Sequence, residues 1–502
     1  MIPLLTADEM RSLEQRFVAA GGDLTDLMRR AGREVAARIA PGKSVLVLAG
    51  PGNNGGDAVE VARVLRERGE EVAFYSFGRP EAPELPGVRS EDDPDFVRLR
   101  TELGGADVVV DGLLGTGGRP PEGRLETIIE LVNAARDVER AAIDVPSGVD
   151  TDTGAVKTVA VHASRTVTFG LPKRGLWSYP GRAVAGQIDV ADIGLDVHEP
   201  RAGCSLIEPE DIALRLPRRR EDWNKGRSGT VIAIGGSSQF PGAPALMAVA
   251  AYRAGAGLVQ VFVPGAIQSV VAEQAPEPVF SSPNGSDLWL GPAHLEAVAH
   301  DSQRAGAFAM GPGLGRHPDT KQFVLSALRL FRELQLPGVL DADGLNLVAE
   351  VPHWWDAAPE NLVVTPHPGE MARLLQCSVD EVQSDRFSAA SRAASEWGIV
   401  VVLKGSSTLI AHRRQGLLLN ATGGPNLGTA GTGDVLTGVI SSLMAQGMEP
   451  HDAAMAGVWL HGKAGDSLRA ELGDAGTMAS DLWHRLPIER MEVEKLAAVE
   501  RG

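Results

Sequence analysis

The stretch LAGPGNNGGDAVEVARVL, from Leu48 to Leu65, joins the end of an apolar run to a glycine-rich loop and a helical pattern. Its glycines have the spacing G-x-G-x-x-G, as in loops that hold the pyrophosphate of dinucleotides. Such a loop normally has an acidic residue at the end of the next strand, where it binds the ribose. Here that run ends in YSFGRP, which offers Ser76 and Arg79 but no carboxylate. The spacing alone does not establish a redox cofactor site, and an NADP site using Arg79 stays open.

Short apolar runs alternate with segments of helical length on both sides of a polar stretch. Those before it are SVLVLAG (44–50), EVAFYSF (71–77), ADVVVDGLLG (106–115) and AAIDVPSG (141–148). Those after it are GTVIAIGG (229–236), GLVQVFVPG (257–265), AFAMGPGLG (307–315), PGVLDADGLN (337–346), NLVVTPHPGE (361–370) and GIVVVLKGSST (398–408). Continuous β-branched runs separated by helices indicate parallel sheets covered on both faces. The sequence therefore predicts an α/β fold with two tandem three-layer αβα domains.

The polar stretch runs from 198 to 229. It predicts a linker and domain entry at 201–224, between domains at 1–200 and 225–495. It contains several prolines and an arginine run, Arg218 to Arg220. That run has two interpretations, a phosphate clamp or a solvated surface.

Composition limits the classes of partner. The 502 residues carry a formal net charge of −17, which argues against broad binding to nucleic acid or an anionic membrane, since such binding needs an excess of Lys and Arg. Cys204 and Cys377 lie far apart and outside any C-x-x-C motif, so we expect two free thiols. No stretch approaches about 18 uninterrupted apolar residues, and the first residues lack a long apolar region. We expect a soluble cytoplasmic protein.

Three polar clusters follow strands of the first half, where ligands of open parallel sheets bind. They are GPGNNGGD, DGLLGTGGRPP with Asp111, and DVPSG with Asp144 and Ser147. Each on its own could be turn chemistry, because Gly, Asn and Asp favour turns. Hard oxygen ligands from Asn54, Asp111 and Ser147 suit a hard cation. Asp144 is either a turn residue or a carboxylate that faces the reacting part of the ligand.

The second half carries a more specific motif, GTAGTGDVLTG (428–438). It places Gly433 at the start of a helix whose N–H groups can hold phosphate, with Asp434 in the first turn. Asp434 is either an ordinary N-terminal helix residue or the base that removes a hydroxyl proton during phosphoryl transfer. VLKGSST, which contains Lys404, is a candidate nucleotide contact at another strand end. Gly313 and His367 reach the same edge, and a lone His there is more often structural.

Together these motifs resemble one family, the bifunctional NAD(P)H-hydrate repair enzymes. The first half resembles the family's epimerase domain through GPGNNGGD, VDGLLGTGGRPPEG, AIDVPSGVD and FGLPKRGL. The second half resembles its dehydratase domain through KGRSGTVIAIGGS, PGAPAL, RAGAGLV, GPGLG, DADGLN, TPHPGE, VLKGSST and GTAGTGDVLTG. The motifs follow one another along nearly the whole chain. The resemblance implies a Rossmann-like N-terminal domain and a ribokinase-like C-terminal domain.

The resemblance also implies the reactions. The substrate is NADH or NADPH damaged by addition of water to the nicotinamide ring, which gives R and S epimers. The first domain would interconvert the epimers, and the second would dehydrate the S form at the expense of ADP, giving AMP and phosphate, with ATP as an alternative donor. Potassium and Mg²⁺ are the implied cations. Hydrated NADH or NADPH and further copies of the chain, in a homo-oligomer, are the expected partners, with no nucleic acid and no membrane.

Carried over by motif, the resemblance implies two catalytic carboxylates, Asp144 in the epimerase and Asp434 in the dehydratase. Epimerase substrate contacts are implied for Asn53, Asn54, Gly55, Gly56, Asp57, Gly115, Thr116, Gly117, Gly118, Arg119, Pro120, Pro121 and Asp144. Potassium would be held by Asn54, Asp111 and Ser147. Dehydratase substrate contacts are implied for Ala243, Gly313, His367 and Asp434, and ADP contacts for Lys404, Gly405, Ser406, Ser407, Thr408 and Gly433.

Two departures and two alternatives accompany this interpretation. Ala58 stands where the family commonly has Gly, and Asn224 where a His is common. The first alternative is a dehydrogenase-like domain fused to a ribokinase-like sugar or vitamin kinase. The second is a non-catalytic N-terminal domain that only binds a nucleotide, since folds of this class can bind without turnover.

Overall fold

The computed structural model describes residues 1–79, 85, 87–196, 202–281 and 288–499. The chain folds as two compact units. The first unit spans Ile2–Ser205, and the second comprises Leu206–Gly502 together with Met1. The domain boundary that the sequence predicts at 200/201 lies outside the described residues.

The first unit contains a seven-stranded sheet whose paired strands are all parallel. The elements of this unit are β1 (Ile2–Leu4), α1 (Ala7–Ala19), α2 (Leu24–Ala37), β2 (Ser44–Ala49), α3 (Asn53–Glu67), β3 (Glu71–Ser76), β4 (Val88–Arg89), α4 (Val97–Gly105), β5 (Val108–Gly112), α5 (Arg124–Ala134), β6 (Glu139–Ile143), β7 (Arg165–Phe169), α6 (Gly181–Val184) and β8 (Gln187–Ala191). The strand order is β4-β3-β2-β5-β6-β7-β8. The order therefore reverses between β2 and β5, which is where ligands bind in folds of this kind.

Strand β2 shows how the sequence places a layer of helices on each face of this sheet. Val45 and Val47 lie in a core with α1, α2 and α3, whereas Leu46 and Leu48 lie in a core with α4 and α5. Successive side chains of a strand point to opposite faces, so a continuous apolar run serves both cores. The predicted α/β, three-layer arrangement is confirmed.

The second unit is built on a mainly parallel sheet. Strand β9 (Cys204–Leu206) spans the boundary between the units, and the elements that follow are α7 (Pro209–Ala213), β10 (Thr230–Ile234), α8 (Ala243–Arg253), β11 (Leu258–Phe262), α9 (Gln268–Gln274), β12 (Val279–Phe280), α10 (Leu295–Ser302), β13 (Ala307–Met310), α11 (Pro318–Glu333), β14 (Gly338–Leu340), α12 (Asp343–Val348), β15 (Leu362–Val364), α13 (Pro368–Leu375), α14 (Val379–Ser384), α15 (Arg386–Trp397), β16 (Val400–Leu403), β17 (Thr408–His412), β18 (Gly416–Asn420), α16 (Thr432–Ala445), α17 (Pro450–Leu472) and α18 (Leu482–Val499). The strand order from β18 onward is β18-β17-β16-β15-β14-β13-β10-β11-β12.

Only the pairs β16–β17 and β17–β18 of this sheet are antiparallel among the described strands β10 to β18. Strands β13, β14, β15 and β16 are buried along their whole length, as expected for parallel strands covered on both faces. The strand order reverses between β10 and β13. The carboxyl ends of the parallel strands therefore meet at one edge, which carries the second candidate site.

The segment predicted as a linker packs largely into the second unit. The Ile207 N–H donates to the Leu419 carbonyl at 3.0 Å, and Ile212 and Leu216 lie in the core beneath α17 and α18. The proline at 209 begins the short helix α7, a position where a missing N–H costs nothing. The second unit comprises Leu206–Gly502 together with Met1, so most of the stretch 201–224 belongs to it.

Candidate active sites

A cavity of about 510 Å³ opens at the carboxyl ends of the strands of the first unit; we call it the first-unit cavity. Its walls come from α1, α2 and the segments that follow β2, β5, β6, β7 and β8. It is lined by Met10, Arg11, Glu14, Leu24, Leu27, Met28, Ala31, Pro51, Gly52, Asn53, Asn54, Asp57, Leu113, Leu114, Gly115, Thr116, Gly117, Gly118, Asp144, Phe169, Lys173 and Ile193. Most residues predicted to contact the substrate of this domain therefore share one cavity.

A buried ion pair joins Asp144 and Lys173 at the wall of this cavity. The Lys173 Nζ lies 2.5 Å from Asp144 Oδ1, and no part of Lys173 is exposed to solvent. Nζ also donates to the Thr168 hydroxyl at 3.2 Å and the Phe169 carbonyl at 3.0 Å. The Thr168 hydroxyl donates to Asp144 Oδ1 at 3.0 Å. The ammonium thus has three oxygen partners, which fix the position of the Asp144 carboxylate.

The backbone at Asp144 is strained. Its φ is 63°, in the left-handed region that a residue with a side chain seldom adopts. The Val145 N–H donates across it to the Ile143 carbonyl at 2.7 Å, forming a three-residue turn. Such strain persists where the surrounding structure fixes it, and it is concentrated at functional sites. The turn directs Asp144 out of the end of β6 and into the cavity.

Two further carboxyl groups face the cavity. Burial raises the pKa of Asp57 well above its usual range, and the charges of Asp144 and Glu14 raise it further. Burial also raises the pKa of Glu14, against the opposing effect of the Lys173 charge. The cavity therefore contains several carboxyl groups near a single buried ammonium, an arrangement suited to holding and moving protons.

The predicted cation ligands also come together. The Ser147 hydroxyl donates to Asp111 Oδ1 at 2.6 Å, and the Asn54 Nδ2 donates to the Leu114 carbonyl at 2.6 Å. The Leu114 N–H in turn donates to the Ser147 oxygen at 2.8 Å. Asp111 is fully buried, and burial raises its pKa to about 6 despite hydrogen bonds from neutral donors. A buried carboxylate that interacts with neutral donors, beside carbonyl, amide and hydroxyl oxygens, fits a hard cation.

Other residues predicted to contact the substrate lie outside this cavity. Gly55 and Gly56 are buried at the start of α3, and a Cβ on Gly55 would lie 1.9 Å from the Gly50 carbonyl oxygen. Arg119 and Pro120 line an adjacent cleft of about 40 Å³. The carbonyl of Pro121 accepts a hydrogen bond from the Thr158 hydroxyl at 2.9 Å.

Arg79, considered for an NADP phosphate, supports the glycine loop. Its guanidinium donates to the carbonyls of Gly50 and Gly52, each at 3.1 Å. These bonds hold the loop from which Asn53 begins α3.

The second candidate site is built around the first turn of α16. Gly431 precedes this helix with a φ of 91°, and no side chain caps the helix N-terminus. The pKa of Asp434 is raised to about 7, mainly by burial and next by repulsion from the Asp341 carboxylate, while the charge of Lys404 opposes the shift. Free N–H groups at a helix start attract anions, and a carboxylate with a pKa near neutrality suits a general base. The motif thus places an uncapped helix start beside a carboxyl group with a raised pKa.

A lysine and an aspartate face this turn from two strand ends. Lys404 follows β16, and its Nζ lies 2.7 Å from Oδ1 of Asp341, which follows β14. The Thr437 hydroxyl on α16 donates to the other Asp341 oxygen at 2.8 Å. A Cβ on Gly433 would lie 3.3 Å from the Lys404 Nζ. The ammonium is therefore held directly beside the start of α16.

His367 lies at the same edge of the sheet, where it is the N-terminal cap residue of α13. Its Nδ1 accepts hydrogen bonds from the N–H groups of Gly369 at 3.0 Å and Glu370 at 3.4 Å. Burial and the charge of Lys404 lower its pKa, so the ring is neutral at neutral pH. Half of the side chain stays exposed. The residue therefore has a structural role and still presents its ring to solvent.

The remaining predicted residues of this unit form two neighbouring groups. Gly313 has a φ of 69°, and a Cβ there would lie 3.0 Å from the Ala243 Cβ, so these two positions touch. In the 404–408 loop, Gly405 has a φ of 137°, and the Thr408 hydroxyl donates to its carbonyl at 3.0 Å. Ser406 and Ser407 complete this loop, in which Ser407 has a φ of 59°.

Several site residues were missed by sequence reasoning: Glu14, Lys173, Asp341, Glu370 and Arg386. Arg386 is buried and donates to the Leu403 and Lys404 carbonyls, each at 3.2 Å, which supports the 404–408 loop. For Asp341 the available signal was a charged residue directly after a buried strand, as in LDAD. Lys173 lies further from the end of its strand, β7. The other three, Glu14, Glu370 and Arg386, gave no such signal, because they lie on helices.

Comparison with protein families accounts for most of the chain. Residues 231–487 match the family described as NAD(P)H-hydrate dehydratase. Residues 24–175 match the family described as YjeF-related protein N-terminus. The two matches fall in the second and first units, respectively, and include Asp434 and Asp144.

Curated relatives match over nearly their whole length. A bifunctional NAD(P)H-hydrate repair enzyme Nnr from Moorella thermoacetica is 36% identical and covers 99% of both chains. The enzyme of the same name from Escherichia coli is 34% identical over 96% of this chain and 92% of its own.

Solved structures match the second unit. The ADP/ATP-dependent NAD(P)H-hydrate dehydratase from Bacillus subtilis, co-crystallised with ATP/Mg²⁺, is 30% identical with a TM-score of 0.50, over 58% of this chain and 99% of that chain. A ribokinase-like superfamily protein from Enterococcus faecalis, 24% identical, gives a TM-score of 0.51 over 59% of this chain and 99% of that one, and shows the fold alone. Among the described residues, no helix has the length and apolar character needed to span a membrane.

Proposed function

This chain belongs to the bifunctional NAD(P)H-hydrate repair enzymes, and on that premise we propose that its first unit is the epimerase and its second unit the dehydratase. The family membership displaces the alternative of a dehydrogenase-like domain fused to a sugar or vitamin kinase. The observation that carries the assignment is the convergence of Asp434, Lys404 and Asp341 on the first turn of α16.

In the dehydratase unit, Asp434 accepts the proton of the ring hydroxyl as that oxygen bonds to the terminal phosphoryl group of ADP or ATP, whose phosphoanhydride bond breaks to release AMP or ADP. The N–H groups at the start of α16 and the Lys404 ammonium stabilise the negative charge on the transferred group. Phosphate then leaves with the C–O bonding electrons, the ring nitrogen supplies its lone pair, and loss of a proton from the adjacent ring carbon restores the double bond. Asp341 and Thr437 keep the ammonium in place.

The 404–408 loop and Gly433 are proposed to hold the nucleotide, and Ala243, Gly313 and His367 the substrate. Asp341 and Glu370 provide hard oxygen ligands near the phosphates, which fits Mg²⁺. No cluster of three or more His, Cys, Asp or Glu side chains that could hold a metal occurs in the described residues, so the phosphates and water would complete its shell. Bound there, Mg²⁺ would offset charge on the phosphates.

In the epimerase unit, Asp144 is proposed to take the proton of the ring hydroxyl as the bond between that carbon and the ring nitrogen breaks, which gives an aldehyde and leaves the bonding electrons on the nitrogen. The nitrogen then closes on the other face of the aldehyde, and Asp144 returns the proton to the oxygen. Lys173 and Thr168 orient its carboxylate. The loops at 53–57 and 115–121 are proposed to hold the nucleotide, with Arg119, Pro120 and Pro121 reaching it from beside the cavity. Potassium is proposed for the group of Asn54, Asp111 and Ser147, where it would neutralise the buried carboxylate that holds Ser147.

The test supplies the full chain with mixed epimers of hydrated NADH and either ADP or ATP, and follows the return of NADH absorbance. Complete conversion is expected, with release of one phosphate for each NADH formed. A stable phosphorylated product without NADH would contradict it and favour a kinase. Replacing potassium with sodium is expected to slow the conversion of the R epimer only. Self-association and a cytoplasmic location stay predictions, which sedimentation and cell fractionation test.

A further inference from the structure

The second unit contains a cavity of about 520 Å³ at the carboxyl-terminal ends of α8 and α16. We call it the arginine cavity. Its charged lining residues are Arg218, Arg219, Arg253, Arg490 and Glu494. The first two belong to the arginine run that the proposed function leaves unexplained.

Only one of these arginines is neutralised by an acid of the cavity. The Nε of Arg490 lies 2.9 Å from Glu494 Oε1, and its Nη2 donates to the Pro217 carbonyl at 2.6 Å. The guanidinium of Arg219 donates to the hydroxyl of Ser228 at 3.2 and 2.9 Å, which leaves its charge uncompensated. Within the described residues, Arg218 and Arg253 have no hydrogen bond or ion pair from their side chains. Arg218, Arg219 and Arg253 thus line the cavity without an acidic partner among the described residues, since the acid of the cavity, Glu494, pairs with Arg490.

Neighbouring features do not account for these charges. Asp222 pairs with Arg220 at 3.2 Å and Arg227 at 3.6 Å. At the end of α8, the Ala254 carbonyl accepts from the Gln446 amide at 3.0 Å. The positive charge of Arg253 stabilises the carboxyl-terminal end of α8 through the helix dipole. This effect does not explain Arg218 and Arg219, which lie outside that helix.

We propose that the arginine cavity binds a small anion that carries phosphate groups. Uncompensated cations that face a common cavity repel one another, and an anion between them removes that repulsion. The planar guanidinium fork matches phosphate oxygens in pairs of hydrogen bonds. The volume lies in the range of ordinary ligand sites, about 300–1,000 Å³. The whole chain is acidic, with a formal net charge of −17, so this cluster of arginines contrasts with the charge of the rest of the protein.

This site is separate from the proposed dehydratase site and does not depend on that proposal. Ala243 begins α8 and Asp434 lies in the first turn of α16, whereas the arginine cavity lies at the other end of both helices. The eleven residues of α8 alone span about 16 Å.

The test titrates inorganic pyrophosphate calorimetrically into three full-length proteins: the wild type, the double variant Arg218→Ala/Arg253→Ala, and the control Arg220→Ala. Arg220 belongs to the same run but pairs with Asp222 and does not line the cavity. Binding at the nucleotide site is common to all three proteins, so their differences report the arginine cavity. The wild type and Arg220→Ala are expected to bind one more pyrophosphate than the double variant, or to bind it at least about tenfold more tightly. Identical titrations of all three would overturn the proposal.

A second measurement on the wild type covers the case in which the double variant fails to fold. Phenylglyoxal modifies accessible guanidinium groups, and mass spectrometry locates the modified residues. Saturating pyrophosphate is expected to protect Arg218 and Arg253 but not Arg220. Equal modification of all three with and without pyrophosphate would refute the site.

Discussion

Asp434 gains its proposed role from its surroundings. The same residue type at an exposed helix start would be ionised and a weak base. Here burial and the nearby carboxylate of Asp341 raise its pKa to about 7, while the Lys404 ammonium, which pairs with Asp341, opposes the shift. An acceptor with a pKa near the working pH combines a useful fraction of the basic form with enough basicity to take the proton.

The pKa of Asp434 predicts a direction of pH dependence. Since only the ionised carboxylate accepts a proton, dehydration is expected to slow as the pH falls through about 7, by about tenfold per unit well below the pKa. The measurement is kcat for NADH formation against pH with saturating nucleotide. A rate that stays constant down to about pH 5 would contradict a base with this pKa.

Lys173 predicts a coupled effect on stability and epimerisation. Lys173→Met leaves the buried Asp144 carboxylate without its cation, so the free energy of unfolding of the first unit is expected to fall by about 3–5 kcal/mol, together with loss of epimerisation. Denaturant unfolding and epimer-resolved chromatography measure the two effects. Lys43→Met is the matched control, because its pair with Asp107 is exposed and screened by solvent, so little change in stability is expected. Equal behaviour of the two variants would show that the buried pair has no special role.

At the scale of elements, the close approach of α3 to the end of β2 holds the glycine loop. A Cβ on Gly55 would collide with the Gly50 carbonyl, whereas a Cβ on Gly104 in α4 would meet no atom within 4 Å. Gly55→Ala is expected to displace the loop, abolish epimerisation and destabilise the first unit by about 1–3 kcal/mol.

Gly104→Ala is the control for that variant, expected to keep activity and to gain up to about 1 kcal/mol from helix propensity. Thermal unfolding and the epimerisation rate of both variants provide the check. An active, stable Gly55→Ala protein would show that the tight loop is not required.

The elements also show where sequence reasoning reaches its limit. Continuous apolar runs predicted the central strands, because burial on both faces demands such runs. The short helix α7 was missed, since its apolar residues are few and lie among charges. The Asp144–Lys173 and Asp341–Lys404 pairs were missed as well, because their partners are 29 and 63 residues apart and only the folded sheet brings them together.

At the scale of the whole molecule, the order of motifs predicted two α/β units because each unit repeats the same physical scheme. Polar clusters follow several of the buried strands, and the strand order reverses once in each sheet, which gathers the clusters at one edge. Each unit therefore has its own carboxylate at a strand end or helix start. This separation is the central claim, since it assigns one reaction to each unit.

The most direct test compares Asp144→Ala and Asp434→Asn with the wild type on mixed epimers of hydrated NADH, with nucleotide, by epimer-resolved chromatography and NADH absorbance. The wild type is expected to convert both epimers. Asp144→Ala is expected to form NADH from the S epimer and then leave the R epimer, whereas Asp434→Asn forms no NADH but equilibrates the epimers. Wild-type NADH formation by Asp434→Asn, or rapid consumption of both epimers by Asp144→Ala, would contradict the account.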